Sequence, residues 1–404
     1  TFGYNLNHRS SSEFGSLMIS ENRVNSQSNG IHIDEILEFG YRMFDNSSFE
    51  MKDIIFTRNS ISSVGVGIYL GEYSGFGNYL NEWTSFEMGS LKVTFNEIMS
   101  DDGGIVTDQI NALGLHMTGR STFIMEDINF DSNRIISVGN GINPRSTGTL
   151  GSHMSDNSLF KMGWITSSDN MIKTNGTGIL FNDISQIGFR MQRSSTAQMY
   201  GINLINNTVE ALDSGVVIDT VESIGSEMSG DSIIKTGNIS LSLNMIDAGD
   251  RGAGIDSSLT TFSYMADNSR ANIGKIILGQ NEITADGEGL FINNIDEMGL
   301  YSEGTAKGNL DKIMIVDNDI RSNGTCIEST GHQGSGKMMK DSAEISIGNM
   351  NISGNNLYSA NSAIRIHHSS LADQMISGEL QIGDLDIENN IIDTGTGIGI
   401  TYET

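Results

Sequence analysis

The segment Leu91-Lys-Val-Thr-Phe-Asn-Glu-Ile98 decides the fold of this chain, because its pattern returns along the whole sequence. In this segment Leu91, Val93 and Phe95 alternate with other residues, and a period of two is typical of a β-strand whose alternate side chains face opposite ways. Asn96 then interrupts the alternation, and an aliphatic residue follows two places later. The segment predicts a short strand that ends at a corner.

The asparagine and its following aliphatic residue recur at an interval of 37 residues. Ten copies are anchored at Asn22, Asn59, Asn96, Asn133, Asn170, Asn207, Asn244, Asn281, Asn318 and Asn355, and an eleventh is assigned to Asn389, 34 residues further on. Other columns keep the same period, such as the glycines eight places after the asparagine and the methionines 21 places after it. A repeat that covers the chain predicts a single domain, residues 1–404.

The copies can bury their apolar side chains only by stacking on one another. A short strand cannot bury a face alone, whereas stacked copies pair their strands in register and form a continuous core. Helical spacing of apolar residues is absent, so we expect an all-β parallel β-solenoid of about eleven 37-residue repeats. The two halves of a repeat differ, which favours one wide coil per copy. Stacked amides can hydrogen-bond to one another, so a structural ladder is predicted at Asn59, Asn96, Asn133, Asn170, Asn207, Asn244, Asn281 and Asn318.

The composition excludes several classes of protein. The 404 residues include 48 Gly and 1 Pro, and the net charge is -27. Phosphate binding requires stripes of Lys and Arg, so nucleic acid is not an expected partner. No stretch has the ~20 apolar residues that cross a membrane, so membrane insertion is not expected. Cys326 is the single cysteine, which excludes an intrachain disulfide.

The repeat, as in Ile352-Ser-Gly-Asn-Asn-Leu357, resembles that of the parallel β-helix repeat proteins of cell surfaces, and the resemblance covers the whole chain. The Asn-, Gly- and Met-rich units are also similar, more loosely, to the amyloid-like sheath proteins of filamentous methanogenic archaea. The first resemblance implies a fold and no activity, since such repeats occur in lyases, adhesins and structural fibres. The second implies a self-assembling coat that is extracellular or at the cell surface.

Neither end of the sequence carries a recognisable cap. A terminal coil without a cap exposes unpaired strand edges, which are templates for further pairing. Thr1 lies 21 places before Asn22 and Thr404 lies 15 places after Asn389, so a second molecule that followed Thr404 would continue the repeat in phase. We therefore expect uncapped ends and a homopolymer that forms through the end coils.

One polar column could bind a cation. Twelve places after the asparagine, four consecutive copies carry Asn182, Asp219, Asp256 and Asn293. In stacked coils these side chains would present the oxygen ligands that Ca²⁺ prefers, which would suit a calcium-stabilised adhesin. Asp and Asn are also common in solvated turns, where they cap backbone groups. Calcium and a solvated turn therefore remain as alternatives for this column.

An aromatic-rich segment, residues 69–83, is the second candidate site. It contains Tyr69, Tyr73, Tyr79 and Trp83. These rings could stack on sugar rings, as in an extracellular polysaccharide-binding or polysaccharide-cleaving β-helix. They could instead cover an edge of the solenoid or a neighbouring molecule.

No group of residues predicts catalysis. Cleavage of a polysaccharide needs carboxylates with an acid–base partner, and the aspartate column offers no such partner. The seven histidines share no common phase in the repeat, so they predict no metal site. Nucleophile elbows, phosphate loops and zinc-ligand spacings are not found. We expect no enzyme, no cofactor other than a possible calcium ion, and a structural protein that stacks end to end into a fibre, sheath or surface layer.

Overall fold

In the computed structural model, successive copies of the repeat lie on top of one another. Ile98 pairs with Ile135 and Ile135 pairs with Ile172, so these residues meet their counterparts 37 places along the chain. The strands pair in parallel. The described chain is a parallel β-solenoid with a spacing of about 37 residues and one wide coil per copy. This confirms the predicted all-β fold and the predicted single coil.

The structure describes residues 5–34, 39–71, 76–108, 110–145, 147–256, 260–293, 299, 301–330, 338–367, 378–395 and 397–403. Within these ranges every regular element is a β-strand, and no helix is present that could span a membrane.

The strands form four parallel sheets, which we call the short, long, ladder and return sheets. The short sheet contains Asn5–Leu6, Arg42–Met43, Tyr79–Leu80 and His116–Met117. The long sheet contains Ser11–Phe14, Leu17–Ser20, Ser48–Met51, Ile54–Thr57, Ser85–Met88, Leu91–Thr94, Thr122–Met125, Ile128–Asp131, Leu159–Ser168, Thr196–Ile205, Ile233–Ser242, Arg270–Ile273, Ile276–Gly279, Lys307–Leu310, Ile313–Val316, Glu344–Ile347, Met350–Ser353, Glu379–Ile382 and Leu385–Glu388.

The other two sheets complete each coil. The ladder sheet, which begins next to the repeated asparagine, contains Arg23–Ser26, Ser60–Ser63, Glu97–Ser100, Arg134–Ser137, Met171–Thr174, Thr208–Ala211, Met245–Ala248, Glu282–Ala285, Asp319–Ser322, Asn356–Ser359 and Ile391–Asp393. The return sheet contains Ile31–Ile33, Ile68–Leu70, Ile105–Thr107, Ile110–Leu113, Ile142–Pro144, Thr147–Leu150, Ile179–Ile187, Val216–Ile224, Ala253–Asp256, Thr260–Thr261, Leu290–Asn293, Ile327–Thr330, Ser362–His367 and Ile398–Glu403.

The core consists of columns of like side chains. Phe49, Phe86, Phe123 and Phe160 stack with ring centroids 5.3, 4.9 and 5.1 Å apart in successive pairs of coils. The methionines 21 places after the repeated asparagine are fully buried, namely Met43, Met117, Met154, Met191, Met228, Met265 and Met339. The flexible thioether fills irregular space between less flexible side chains.

The glycine column marks a close approach of neighbouring coils. A Cβ atom at Gly67 would overlap Cγ2 of Ile98 and would lie 2.7 Å from the carbonyl oxygen of Gly104. Cys326 occupies the same column and is completely buried. Burial raises the pKa of its thiol to about 12, so the thiol is neutral and behaves as a small apolar group.

The corner before each repeated asparagine has left-handed backbone. The residue at this corner has φ between 54° and 69° in every copy, at Glu21, Arg58, Phe95, Ser132, Asp169, Asn206, Leu243, Gln280, Asp317, Gly354 and Asn389. The expectation that Phe95 continues the strand alternation is therefore wrong. Left-handed backbone turns its side chain outward, where 59% of it is exposed.

The assignment of the eleventh anchor to Asn389 is also wrong. Asn389 occupies the left-handed corner, and Asn390 occupies the position of the repeated asparagine. Leu357 accordingly pairs with Ile392 rather than with Ile391. The doublet Asn389-Asn390 offered two alignments, and the hydrogen bonds select the second because only Asn390 reaches the preceding coil. Thr404 therefore lies 14 rather than 15 places after its anchor, and the expectation that a second molecule after Thr404 would continue the repeat in phase is wrong by one residue.

Candidate functional site

The repeated asparagines form a buried hydrogen-bonded ladder. Asn170 Oδ1 accepts from the backbone N–H of Asn133 at 2.9 Å and from Asn133 Nδ2 at 3.1 Å. Asn170 Nδ2 in turn donates to Asn207 Oδ1 at 2.9 Å and to the carbonyl oxygen of Phe130 at 2.7 Å. Each rung thus satisfies backbone and side-chain groups that the coil would otherwise bury without partners.

The ladder has a direction. In the first rung Asn22 donates from its backbone nitrogen and from Nδ2 to Asn59 Oδ1, at 3.1 and 3.0 Å. In the last rung Asn355 donates in the same way to Asn390 Oδ1, at 3.0 and 2.9 Å. Donors therefore always belong to the earlier coil and the acceptor to the later one. The first coil presents an acceptor, Asn22 Oδ1, and the last coil presents the donors of Asn390.

The last coil also presents its interior side chains. Ile364 is completely buried, whereas Ile400, which pairs with it in the last coil, is 47% exposed. Met350 is 8% exposed, whereas its counterpart Leu385 is 38% exposed. The difference arises because each coil is covered by its neighbours, so the surface that remains is a cross-section of the core.

The predicted calcium column is brought together by the return sheet. Asn182, Asp219, Asp256 and Asn293 pair in register in adjacent strands and are half-buried. Among the described residues, no three His, Cys, Asp or Glu side chains converge as a set of metal ligands. Calcium binding by this mixed Asp and Asn column stays a prediction.

A guanidinium group already neutralises part of this column. Arg251 Nη1 forms an ion pair with Asp256 Oδ2, and its guanidinium lies 4.6 Å from the ring centroid of Phe291. Asn293 Oδ1 accepts from the hydroxyl of Thr330 at 3.0 Å. The hydrogen bond and charge of Asp256 raise the pKa of Arg251 against the opposing effect of its burial. Asp256 and Asn293 therefore already contact protein partners.

The residues of the aromatic segment lie on separate sheets. Tyr69 belongs to the return sheet, and its hydroxyl donates to Asp108 Oδ2 at 2.5 Å. This hydrogen bond, with burial, raises the pKa of Tyr69 to about 12. Tyr79 belongs to the short sheet and stacks on His116 at 4.8 Å. Trp83 follows that strand and is 57% exposed.

The structure therefore does not assemble these rings into one platform. Tyr69 and Tyr79 each have a polar or aromatic partner in the next coil, and the Arg120 guanidinium lies 4.5 Å from the Trp83 ring centroid. Tyr73, the fourth predicted residue, lies outside the described residues. Sugar binding by this segment stays a prediction.

One contact was missed in the sequence. His116 and His153 lie 37 residues apart, and their ring centroids are 4.8 Å apart on the same column as Tyr79. Burial lowers the pKa of both rings, and the neighbouring His116 and Arg190 lower that of His153 further. The seven histidines have no phase in common, but His116 and His153 share one, and their spacing of 37 residues was the signal that could have shown their contact.

The fold and the ladder define a class, that of the parallel β-solenoids whose coils are held by an internal asparagine ladder. Comparison of the chain with models of known protein families, with curated proteins and with solved structures finds no match.

Proposed function

We propose that this chain is a structural protein that stacks end to end with identical copies into a fibre, sheath or surface layer outside the cell. The observation that carries the proposal is the direction of the asparagine ladder. Two first coils would meet acceptor to acceptor, and two last coils would meet donor to donor. A last coil and a first coil are complementary, and such a head-to-tail contact generates an open polymer.

The apolar columns support the same contact. If Asn390 donates to Asn22 of a second copy, the columns place Ile387 against Ile19, Ile392 against Val24 and Ile400 against Ile31. These pairs extend columns that are aliphatic or aromatic through most of the coils. Burial of apolar surface contributes about 25 cal/mol per Å², and the half-exposed interior of the last coil is the surface that stacking would cover.

Negative-stain electron microscopy of the 404-residue chain tests the proposal. We expect long filaments of constant width from the unmodified protein. Ile387→Arg places a charge in the apolar cross-section of the last coil, and we expect only short rods from this variant, because a buried unpaired charge is very costly. Circular dichroism would check that the variant keeps its β-structure.

Asp386→Arg is the matched control. Asp386 is adjacent to Ile387 in the same strand and is exposed, so its change introduces the same arginine side chain outside the cross-section. We expect this variant to form filaments. Short rods from the unmodified chain, or filaments of Ile387→Arg, would contradict end-to-end stacking.

The same specimens address the calcium alternative. A ladder of amides needs no cation, so filaments that form through the ladder should persist in EDTA. Loss of filaments in EDTA, with recovery in Ca²⁺, would favour the calcium-stabilised adhesin and would direct attention to Asp219 and Asp256.

A further inference from the structure

We infer that the outer face of the ladder sheet is an interaction surface for a second copy of this chain that runs in the opposite direction. This surface, here called the ladder face, is formed by the side chains one and three places after each ladder asparagine. It is exposed along the ladder sheet, and it includes large apolar groups, with Met171 57% and Met245 54% exposed. Exposed apolar residues that recur on one flat face indicate an interaction surface.

Charge is segregated along the ladder face. On the first five coils it carries the cations Arg23, Arg134 and Lys173 with one anion, Glu97. On the last five coils it carries the anions Asp247, Glu282, Asp319 and Asp393 with one cation, Arg321. A cationic half is unusual in a chain with a net charge of -27. Two copies that face each other in opposite directions would bring each cationic half onto an acidic half.

A two-fold axis along the central strand Thr208–Ala211 gives specific pairs. It places Met171 against Met245 of the second copy and Lys173 against Asp247, and each pair occurs twice. In copies that run in the same direction, each half would instead meet the half of its own sign.

The next coils outward show one favourable and one unfavourable pair. The same axis places Arg134 against Glu282 and Glu97 against Asp319. The second pair is like-charged, but Arg134 Nη1 lies 2.9 Å from Glu97 Oε1 and partly neutralises it. On the axis itself Glu210 faces Glu210 of the second copy, and each is partly neutralised by its ion pair with Lys173 of its own chain. The favourable contacts, Lys173 with Asp247 and Arg134 with Glu282, occur twice each. They therefore outnumber the like-charged contacts, which are Glu97 with Asp319 twice and Glu210 with its own copy once.

The size of the ladder face suits a stable pair. Eleven strands at ~4.8 Å and four residues at ~3.3 Å give a flat area of roughly 700 Å². The relief of the side chains adds to this area, which brings it close to the ~800 Å² per partner of a standard interface. Sheets that pack face to face in this way lie ~10 Å apart.

This inference rests on the proposed function for its biological role, because lateral pairs of rods would turn filaments into a layer. The lateral pair itself does not require end-to-end stacking. The test is therefore made in the Ile387→Arg background, in which the proposed end contact is blocked. Failure of one contact then leaves the other still measurable.

The test uses cysteines on neutral, exposed positions of the ladder face. Ile136 and Thr284 face each other across the proposed axis, and Cys326 is completely buried and so contributes little background. A mixture of Ile136→Cys and Thr284→Cys chains is treated with a short bis-maleimide. We expect a covalent dimer from the mixture and almost none from Ile136→Cys alone, whose two copies of residue 136 would lie four coils apart, roughly 19 Å.

A charge exchange provides the second readout. Lys173→Asp should weaken dimerisation about tenfold in sedimentation or light scattering, and Lys173→Asp with Asp247→Lys should restore it. A dimer cross-linked from Ile136→Cys alone would overturn the antiparallel arrangement. A chain that stays monomeric at high concentration, with no cross-link from the mixture, would overturn the interaction surface altogether.

Discussion

Asparagine suits the ladder because a single side chain supplies both an acceptor and two donor hydrogens. In the interior rungs the oxygen accepts two hydrogen bonds from the preceding coil, and the Nδ2 group donates to a carbonyl oxygen and to the next asparagine. Aspartate lacks the donors and would bury a charge, and serine is too short to reach. The column is therefore restricted to one residue type by the number of groups that must be satisfied.

The change Asn170→Ala tests the ladder at the residue scale. It removes the acceptor of the Asn133 backbone N–H and Nδ2, and it leaves the Phe130 carbonyl without the Nδ2 donor. Buried groups without partners cost about 1–3 kcal/mol each, so we expect a loss of about 3 kcal/mol or more in the free energy of unfolding. Urea unfolding followed by circular dichroism would measure it. Asn175→Ala, at an exposed position, is the control, and an equal effect of both changes would argue against the ladder.

At the scale of the element, the left-handed corner separates the long sheet from the ladder sheet in every coil. Residues with a Cβ atom are disfavoured in this conformation, yet Phe95 and Leu243 occupy it with 59% and 47% exposure. Neither side chain gains burial that would compensate for the strain. Stacking of the strands on both sides of the corner holds the backbone in place.

The change Phe95→Asn should therefore stabilise the protein. Asparagine tolerates left-handed backbone better than phenylalanine, and an exposed ring loses little when it is removed. We expect a gain of about 0.5–1 kcal/mol, seen as a higher urea midpoint. Met99→Asn changes an exposed residue within a strand and should not stabilise. If Phe95→Asn lowered the midpoint, the ring would have a packing role in the assembled rod.

At the scale of the whole molecule, the coils contact their neighbours and little else. Ion pairs join equivalent positions of adjacent coils, as between Arg134 and Glu97 at 2.9 Å and between Arg193 and Asp156 at 3.2 Å. Such exposed pairs contribute about 0–1 kcal/mol each. Stability in this arrangement comes from nearest-neighbour contacts, so a coil that is covered on one side only is the least stable.

Hydrogen exchange should show that stability rises from the end coils to the central coils. In the Ile387→Arg variant we expect the amides of Leu385–Glu388 to exchange first and those of Thr196–Ile205 last, because opening of a central coil breaks two interfaces. In filaments of the unmodified chain the terminal amides should become protected. Uniform protection along the isolated rod would indicate that it unfolds as one cooperative unit.

Much of this fold can be predicted from the sequence, because every copy of the repeat contains the same pattern of strand and corner residues. The 37-residue interval determined the parallel stacking, the asparagine column and the spacing of the methionine column. Each of these follows from one period and from the need to pair every strand. Errors arose where the local pattern allowed two alignments, as at Asn389-Asn390, or where a corner resembled a continuing strand, as at Phe95.

Only the tertiary structure decided how the columns relate to one another. The direction of the ladder depends on which coil supplies the acceptor, and the sequence is the same for either direction. The segregation of charge on the ladder face depends on which residues point outward, and the separation of Tyr69 from Tyr79 depends on where the coil bends. These properties arise from the path of the backbone between repeats. The period determines that coils stack, whereas the geometry of the bends determines which surfaces remain to meet a second copy.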